Sequence, residues 1–184
     1  EVVIVLPKET GGWLEQHTMD VLRGRILESL RESDKHDRIG IYYPRISEKP
    51  DCTLMVHAKV MVIDDDFVRV GSSNLSNRSM GLDSECDLAI SAGSNEAARS
   101  AIVRFRNRLI AEHTGSTVDD VTDAIENSGS MIEAIESLSK GERRLVYLSG
   151  DVSPEIDQWV PESELLDPEQ PLEPDELFDY FIQP

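Results

Sequence analysis

An apolar run with two basic side chains on one face most constrains this sequence. In "VHAKVMVI", Val56 to Ile63, alternate side chains share one face of a β-strand, and the even-numbered positions are all apolar. That face predicts a strand anchored in a core, with an Asp-rich turn after it. His57 and Lys59 then lie together on the opposite face, about 7 Å apart along the strand.

Two neighbouring cations on a strand predict an anion between them. A lysine is almost never fully buried without a partner, and adjacent positive charges repel each other. Gly71, Ser72 and Asn74 follow the return strand. They add close backbone approach, a hydroxyl and an amide, which all suit phosphate oxygens. The pattern therefore predicts a phosphate-binding site.

Acidic residues nearby are interpreted as supporting groups. Asp64 has the wrong parity to share the face of His57, so we expect it to hold the turn through a bond to backbone or to a nearby base. Three adjacent acids at 64–66 are typical of a solvated turn, and we predict no metal there. Glu85 points away from the apolar side of its own strand, and a carboxylate beside an imidazole fixes its tautomer.

Local patterns along the chain predict strands interleaved with helices, which favours an α/β layered domain. The predicted elements are a strand at 1–7, a helix at 11–33, a strand at 38–44, two strands around the Asp turn, a strand at 84–90, and a helix at 95–113 capped by Ser94. Two short helices are expected after Gly115, the second with a Ser130–Glu133 capping box.

The net charge of −18 is concentrated in the last third of the chain. Residues 1–118 carry 18 acids and 15 bases, a net charge of −3, and residues 119–184 carry 18 acids and three bases, a net charge of −15. We therefore divide the chain into residues 1–115 and an acidic extension at 116–184. For its Pro- and Glu-rich end, disorder and a strap pinned by spaced apolar residues both stay open.

Bulk properties leave the compartment open. Cys52 and Cys86 lack metal-ligand spacing and are expected to be free thiols. No run approaches the roughly 20 apolar residues that span a bilayer, and no signal-peptide pattern is seen. The chain begins at Glu1 within an apolar run, which is typical of an internal fragment or a processed product.

These residues resemble the HKD signature of the phospholipase D superfamily. The matching positions are His57-x-Lys59-x4-Asp64, Gly71-Ser72-x-Asn74, and Glu85 at the position of the family's histidine-orienting acid. The first strand and helix look like the start of the family's C-terminal half, and Arg104 to Gly115 looks like its arginine-rich helix. The resemblance implies a phospholipase D-like domain with a mixed β-sheet flanked by helices over residues 1–115, and more loosely the acidic tail.

The resemblance also implies a mechanism. Superfamily members join two motifs at one site: one histidine forms a phosphohistidine, and the other moves protons to the leaving alcohol and from the acceptor. His57 would be the general acid/base, with the nucleophile as the alternative. The implied catalytic residues are His57, Lys59, Asn74 and Glu85; Lys59 and Asn74 bind phosphate, and Gly71, Ser72 and Asp64 support the site. No metal or other cofactor is implied.

The chain has one such motif, since His17, His36 and His113 lack a lysine two positions later. The second is expected from an N-terminal portion outside this sequence, or from a second subunit. Asp83-Ser84-Glu85 follows the phospholipase pattern, whereas cardiolipin synthases tend to carry Asn first.

The implied reaction is hydrolysis of glycerophospholipid head groups to phosphatidic acid, with transphosphatidylation, at a transiently contacted membrane surface. Nucleic acid is disfavoured because superfamily nucleases usually carry basic surfaces. The alternatives are a cardiolipin synthase-like phosphatidyltransferase, a homodimeric nuclease, and a non-catalytic half-domain that binds a partner.

Overall fold

The computed structural model of the chain describes residues 1–8, 13–46 and 54–149. The elements are β1 (Val2–Val5), α1 (Trp13–Ser33), β2 (Ile39–Arg45), β3 (Lys59–Ile63), β4 (Phe67–Gly71), a π-helical turn (Arg78–Leu82), β5 (Asp87–Ser91), α2 (Glu96–Thr114), α3 (Val118–Ser128), α4 (Met131–Leu138) and β6 (Arg144–Tyr147). This order confirms the α/β class. Across the described ranges, no helix is long and apolar enough to cross a membrane.

The described strands form two sheets of three strands each. In the first sheet, β2 is central, with β1 parallel on one side and β6 antiparallel on the other. In the second sheet, β3, β4 and β5 are antiparallel in chain order. The first sheet is mixed, as the resemblance implies, and the described strands β3, β4 and β5 form a second sheet that is antiparallel throughout.

Helix α2 contacts both sheets. Near its N-terminus, Ile102 packs in a cluster with Val68 of β4. Near its C-terminus, Ile110 and Ala111 pack with Tyr42 of β2. The second sheet, which carries the candidate site, is therefore held against the first core by one continuous helix.

Residues 118–148 complete the core of the first sheet. Val121 of α3, Ile135 of α4 and Leu145 of β6 are buried together with Tyr42. Strand β6 pairs with β2 from Tyr42 opposite Tyr147 to Arg45 opposite Arg144. Residues on both sides of position 115 therefore share this core. The sequence patterns predict α3 and α4 but miss β6.

The helix caps differ from the sequence predictions in detail. Asn95, and not Ser94, caps α2: its side chain accepts hydrogen bonds from the N–H groups of Ala97 and Ala98, each at 3.1 Å. Ser94 lies one position too early for this geometry. Ser130 caps α4 as expected, accepting from the Glu133 N–H at 3.1 Å, but its own N–H donates to Ser128 and not to Glu133.

Some sequence predictions lie outside the described residues. They are the strap near the C-terminus, Cys52 and its loop, and the apolar stripe in the first half of α1. Cys86 is a free, exposed thiol.

Candidate functional site

The antiparallel register brings the predicted site residues to one end of the second sheet. Lys59 of β3 pairs with Gly71 of β4, and Gly71 pairs with Asp87 of β5. This row is the last one at that end of the sheet. The segment before β3, the segment after β4 and the segment before β5 therefore all lie next to this end. The predicted site residues just beyond the row are His57, Ser72, Asn74 and Glu85.

His57 lies just before β3, which begins at Lys59. His57 is exposed, and its imidazole makes no hydrogen bond to any residue that the structure describes. Ala58 is exposed as well, whereas Val62 packs against the cluster on α2. The prediction that the strand starts at residue 56 is therefore wrong, because the β3–β4 ladder ends where Gly71 pairs with Lys59.

The Lys59 ammonium is held by a local bond. Its Nζ donates to the backbone carbonyl oxygen of His57 at 2.9 Å, in an exposed position. A hydrogen bond of this kind contributes only about 0.5–1.5 kcal/mol net. An arriving anion can therefore replace the carbonyl at little cost. Asn74 is exposed beyond the same end of the sheet.

Glu85 contacts Ser72 and not His57. The Ser72 hydroxyl donates to Oε2 of Glu85 at 2.5 Å and accepts from the Cys86 N–H at 2.9 Å. The proton that we expected Ser72 to offer to phosphate is therefore used on Glu85, and Ser72 fixes the carboxylate beside the site. Orientation of His57 by Glu85 stays a prediction.

The three aspartates at 64–66 form the turn between β3 and β4, and their contacts differ from the prediction. Asp64 occupies the left-handed region, with φ of 51°. Asp65 forms an ion pair with Arg106 at 2.6 Å, and Asp66 forms one with Arg99 at 3.0 Å. We expected Asp64 to bond to backbone or to a nearby base, but the bonds to bases are made by Asp65 and Asp66. They tie the hairpin to α2, which carries both arginines.

Asp87 holds the loop after β4, and the sequence patterns do not single it out. The hydroxyl and the N–H of Ser73 both donate to its carboxylate, the N–H at 3.3 Å, and Arg69 donates at 3.1 Å. The Ser73 hydroxyl, with Arg69 as a smaller cause, lowers the pKa of Asp87 below its usual value. Only the cross-strand register, which a sequence does not show, places these groups together.

The residue types at this end of the second sheet suit phosphate chemistry. Among the residues that the structure describes, no three His, Cys, Asp or Glu side chains are close enough to hold a metal ion. Lys59 lies in the last row of the sheet, and His57 and Asn74 are exposed residues of the segments next to it, so an ammonium, an imidazole and an amide belong to one end of the sheet. Such groups can bind phosphoryl oxygens and transfer a proton.

Comparison with known proteins points to one family. The Phospholipase D family model matches residues 26–151, more than half of the chain. Phospholipase D alpha 1 of Spuriopimpinella brachycarpa is 32% identical over 103 residues, which cover 53% of this chain and 12% of that protein. Phospholipase D alpha 4 of Arabidopsis thaliana is 31% identical over 99 residues, covering 52% and 13%. Phospholipase D alpha 1 of Zea mays is 26% identical over 133 residues, covering 68% and 16%, so the chain spans less than a fifth of these relatives.

Proposed function

Because this chain belongs to the phospholipase D family, whose model matches residues 26–151, we propose that it supplies half of the active site of a phospholipase D-type phosphodiesterase. The proposed reaction converts a glycerophospholipid to phosphatidic acid and a free head-group alcohol. Transfer of the phosphatidyl group to another alcohol is a second outcome. The observation that carries the proposal is the row Lys59–Gly71–Asp87, beyond which His57 and Asn74 lie at one open sheet end.

The chemistry divides one displacement at phosphorus into two steps. In the first, a histidine nitrogen bonds to phosphorus, the bond to the head-group oxygen breaks, and that oxygen takes a proton. In the second, water or an alcohol loses a proton, its oxygen bonds to phosphorus, and the phosphorus–nitrogen bond breaks. We assign the proton transfers to His57, because the chain resembles the family's C-terminal half, whose histidine usually has this role; a positioned general acid/base contributes about 10²–10⁴-fold. The nucleophile is its alternative role.

Lys59 and Asn74 are proposed to stabilise the phosphoryl oxygens. Negative charge develops on these oxygens during displacement, and preorganised donors stabilise it most in the transition state. The Lys59 ammonium would exchange the His57 carbonyl for a phosphoryl oxygen. Glu85, fixed by Ser72, lies at the same end of the sheet and is proposed to orient the His57 ring.

A second motif must supply the other histidine. Met61 and Ile63 alternate with the buried side of β3 and so share the face of Lys59; they are 37% and 49% exposed. Exposed apolar side chains beside a site favour a partner surface there. We propose that an N-terminal portion outside this sequence covers this face, with a second copy of the chain as the alternative.

Exposed apolar side chains also favour a lipid substrate over nucleic acid. Leu75, directly after Asn74, is 80% exposed, and Met80, in the π-helical turn that follows, is 60% exposed. Apolar side chains at this position can contact acyl chains while the adjacent polar groups contact the phosphate. Residues 1–118, which include the candidate site, carry a net charge of −3 and not the net positive charge that favours binding of a nucleic-acid backbone.

The proposal is tested by supplying phosphatidylcholine vesicles and ethanol to the chain alone and to the chain joined to its natural N-terminal neighbour. Choline and phosphatidylethanol are measured. We expect both products only from the two-motif form. His57→Ala should lower the rate at least about 100-fold, because the general acid/base is lost.

His36→Ala is the matched control, because His36 is an exposed histidine in the turn before β2 and outside the site. It should keep the wild-type rate. Undiminished turnover in His57→Ala would overturn the assignment. Activity of the chain alone, together with a two-fold dimer in light scattering, would instead assign the second motif to a second copy.

A further inference from the structure

We propose that Asp87 is a positioning residue that, together with Arg69, directs Asn74 toward the substrate phosphate. This inference rests on the proposed function, since it concerns the same site. Neither residue belongs to the motif residues that carried the resemblance. Both act through the loop that connects Gly71 to Asn74.

Asp87 and Arg69 hold Ser73 from two sides. The hydroxyl and N–H of Ser73 donate to the carboxylate of Asp87, and the Ser73 carbonyl oxygen accepts a longer bond of 3.5 Å from Arg69. Arg69 and Asp87 are themselves joined at 3.1 Å. Ser73 is buried, whereas the next residue, Asn74, is exposed. Fixing the peptide groups around Ser73 therefore fixes the direction in which Asn74 leaves the loop.

Gly71 makes room for this arrangement. A Cβ at position 71 would collide with the Asp87 carboxylate and would lie 2.7 Å from the Asp87 Cα. Gly71 and Asp87 are also directly paired across β4 and β5. The glycine of the motif therefore permits Asp87 to reach past the strand to Ser73.

A second ion pair, between the β3–β4 turn and α2, provides a reference for purely structural effects. Asp66 and Arg99 join at 3.0 Å, close to the 3.1 Å of Asp87 and Arg69. Asp66 lies in the β3–β4 turn, at the opposite end of these strands from Lys59 and Gly71. Loss of either pair removes one partly exposed ion pair, but only Asp87 contacts the loop that carries Asn74.

The test compares Asp87→Ala, Asp87→Asn and Asp66→Ala in the two-motif protein, with kcat and KM measured on short-chain phosphatidylcholine below its micellar concentration. Asp87→Ala should lower kcat about 10- to 100-fold with little change in KM, because a misplaced group loses transition-state contacts. Asp87→Asn should recover part of the rate, since its amide oxygen can still accept from Ser73. Asp66→Ala should keep the wild-type kcat.

A second measurement uses the chain itself and needs no turnover. The NMR order parameter of the Asn74 backbone N–H should be about 0.85 in the wild type and should fall below about 0.6 in Asp87→Ala. Asp66→Ala should leave it unchanged. If Asp87→Ala does not fold, Ser73→Ala takes its place, because it removes only the hydroxyl that donates to Asp87.

The outcomes separate this inference from the proposed function. Turnover that is lost in His57→Ala but retained in Asp87→Ala overturns the positioning role alone. An equal loss of kcat in Asp66→Ala also overturns it, because the effect would then be one of general stability. A wild-type two-motif protein without phosphodiesterase activity overturns the proposed function, and the positioning role with it.

Discussion

At the scale of single residues, Tyr42 carries a buried polar group without a partner. Tyr42 is 2% exposed and packs in the core of the first sheet, yet its hydroxyl has no hydrogen-bond partner among the described residues. Burial raises the pKa of Tyr42 to about 12. Gly40 permits this placement, since a Cβ there would lie 2.6 Å from the Tyr42 ring.

We predict that Tyr42→Phe raises the free energy of unfolding at neutral pH by about 1 kcal/mol, because an unsatisfied hydroxyl no longer has to be buried. The folded pKa lies above the usual value of 10.0. The stability from neutral Tyr42 is therefore complete below about pH 10 and is lost as the pH rises toward 12. Urea unfolding at a series of alkaline pH values should show this loss in the wild type and less of it in Tyr42→Phe.

Tyr43→Phe is the control, because Tyr43 is the next residue of β2 and is only half-buried. It should keep the alkaline dependence of the wild type. Identical pH profiles for the wild type and Tyr42→Phe would contradict the prediction.

At the scale of secondary-structure elements, α2 organises the chain. It begins at the Asn95 cap and ends at Gly115, whose φ of 68° lies in the left-handed region. Along its length it packs on both sheets and carries Arg99 and Arg106, which bind the hairpin turn. The stability of this helix therefore affects the position of the candidate site.

We predict that Asn95→Ala lowers the free energy of unfolding by about 1 kcal/mol, because two N–H groups of the first turn lose their acceptor. Ser94→Ala should change it by less than about 0.5 kcal/mol, since Ser94 is an exposed residue that does not cap the helix. Chemical denaturation of both variants measures the difference. A larger effect of Ser94→Ala would restore the cap that the sequence pattern predicts.

At the scale of the whole molecule, one core joins segments that are distant in sequence. Tyr42, Ile110, Val121, Ile135 and Leu145 come from β2, α2, α3, α4 and β6. The Glu1 carboxylate also accepts hydrogen bonds from Ser130 and Met131 at the start of α4, at 2.6 and 2.7 Å. Residues on both sides of position 115 therefore depend on each other for burial.

We predict that Ile135→Ala lowers the free energy of unfolding by about 2–5 kcal/mol in a single cooperative transition, because the side chain is 0% exposed and its loss leaves a cavity. Glu136→Ala, at the next and exposed position, should change it by less than about 0.5 kcal/mol. The unfolding midpoints measured by far-ultraviolet and by near-ultraviolet circular dichroism should shift together in Ile135→Ala. A separate early transition for α3 and α4 would show that the two segments fold independently.

Local sequence patterns determined most elements and the family resemblance. Helix spacing and β-branched runs predicted α1 and α2 and most strands, since these signals depend on neighbours within a few positions. The motif from His57 to Glu85 can also be recognised from the sequence alone, because it consists of fixed residue types at fixed offsets. Strand β6 escaped prediction, since its four residues acquire their role only by pairing with β2.

Tertiary structure decided what the motif residues contact. The division into two sheets, the tie of Asp65 and Asp66 to α2, the bond of Ser72 to Glu85, and the hold of Asp87 on Ser73 all depend on cross-strand register or on helix packing. These partners are between 13 and 41 residues apart in the chain. The sequence by itself predicted which chemical groups the candidate site contains, while long-range pairing specified which side chains bond to one another, because only folding brings distant side chains within bonding distance.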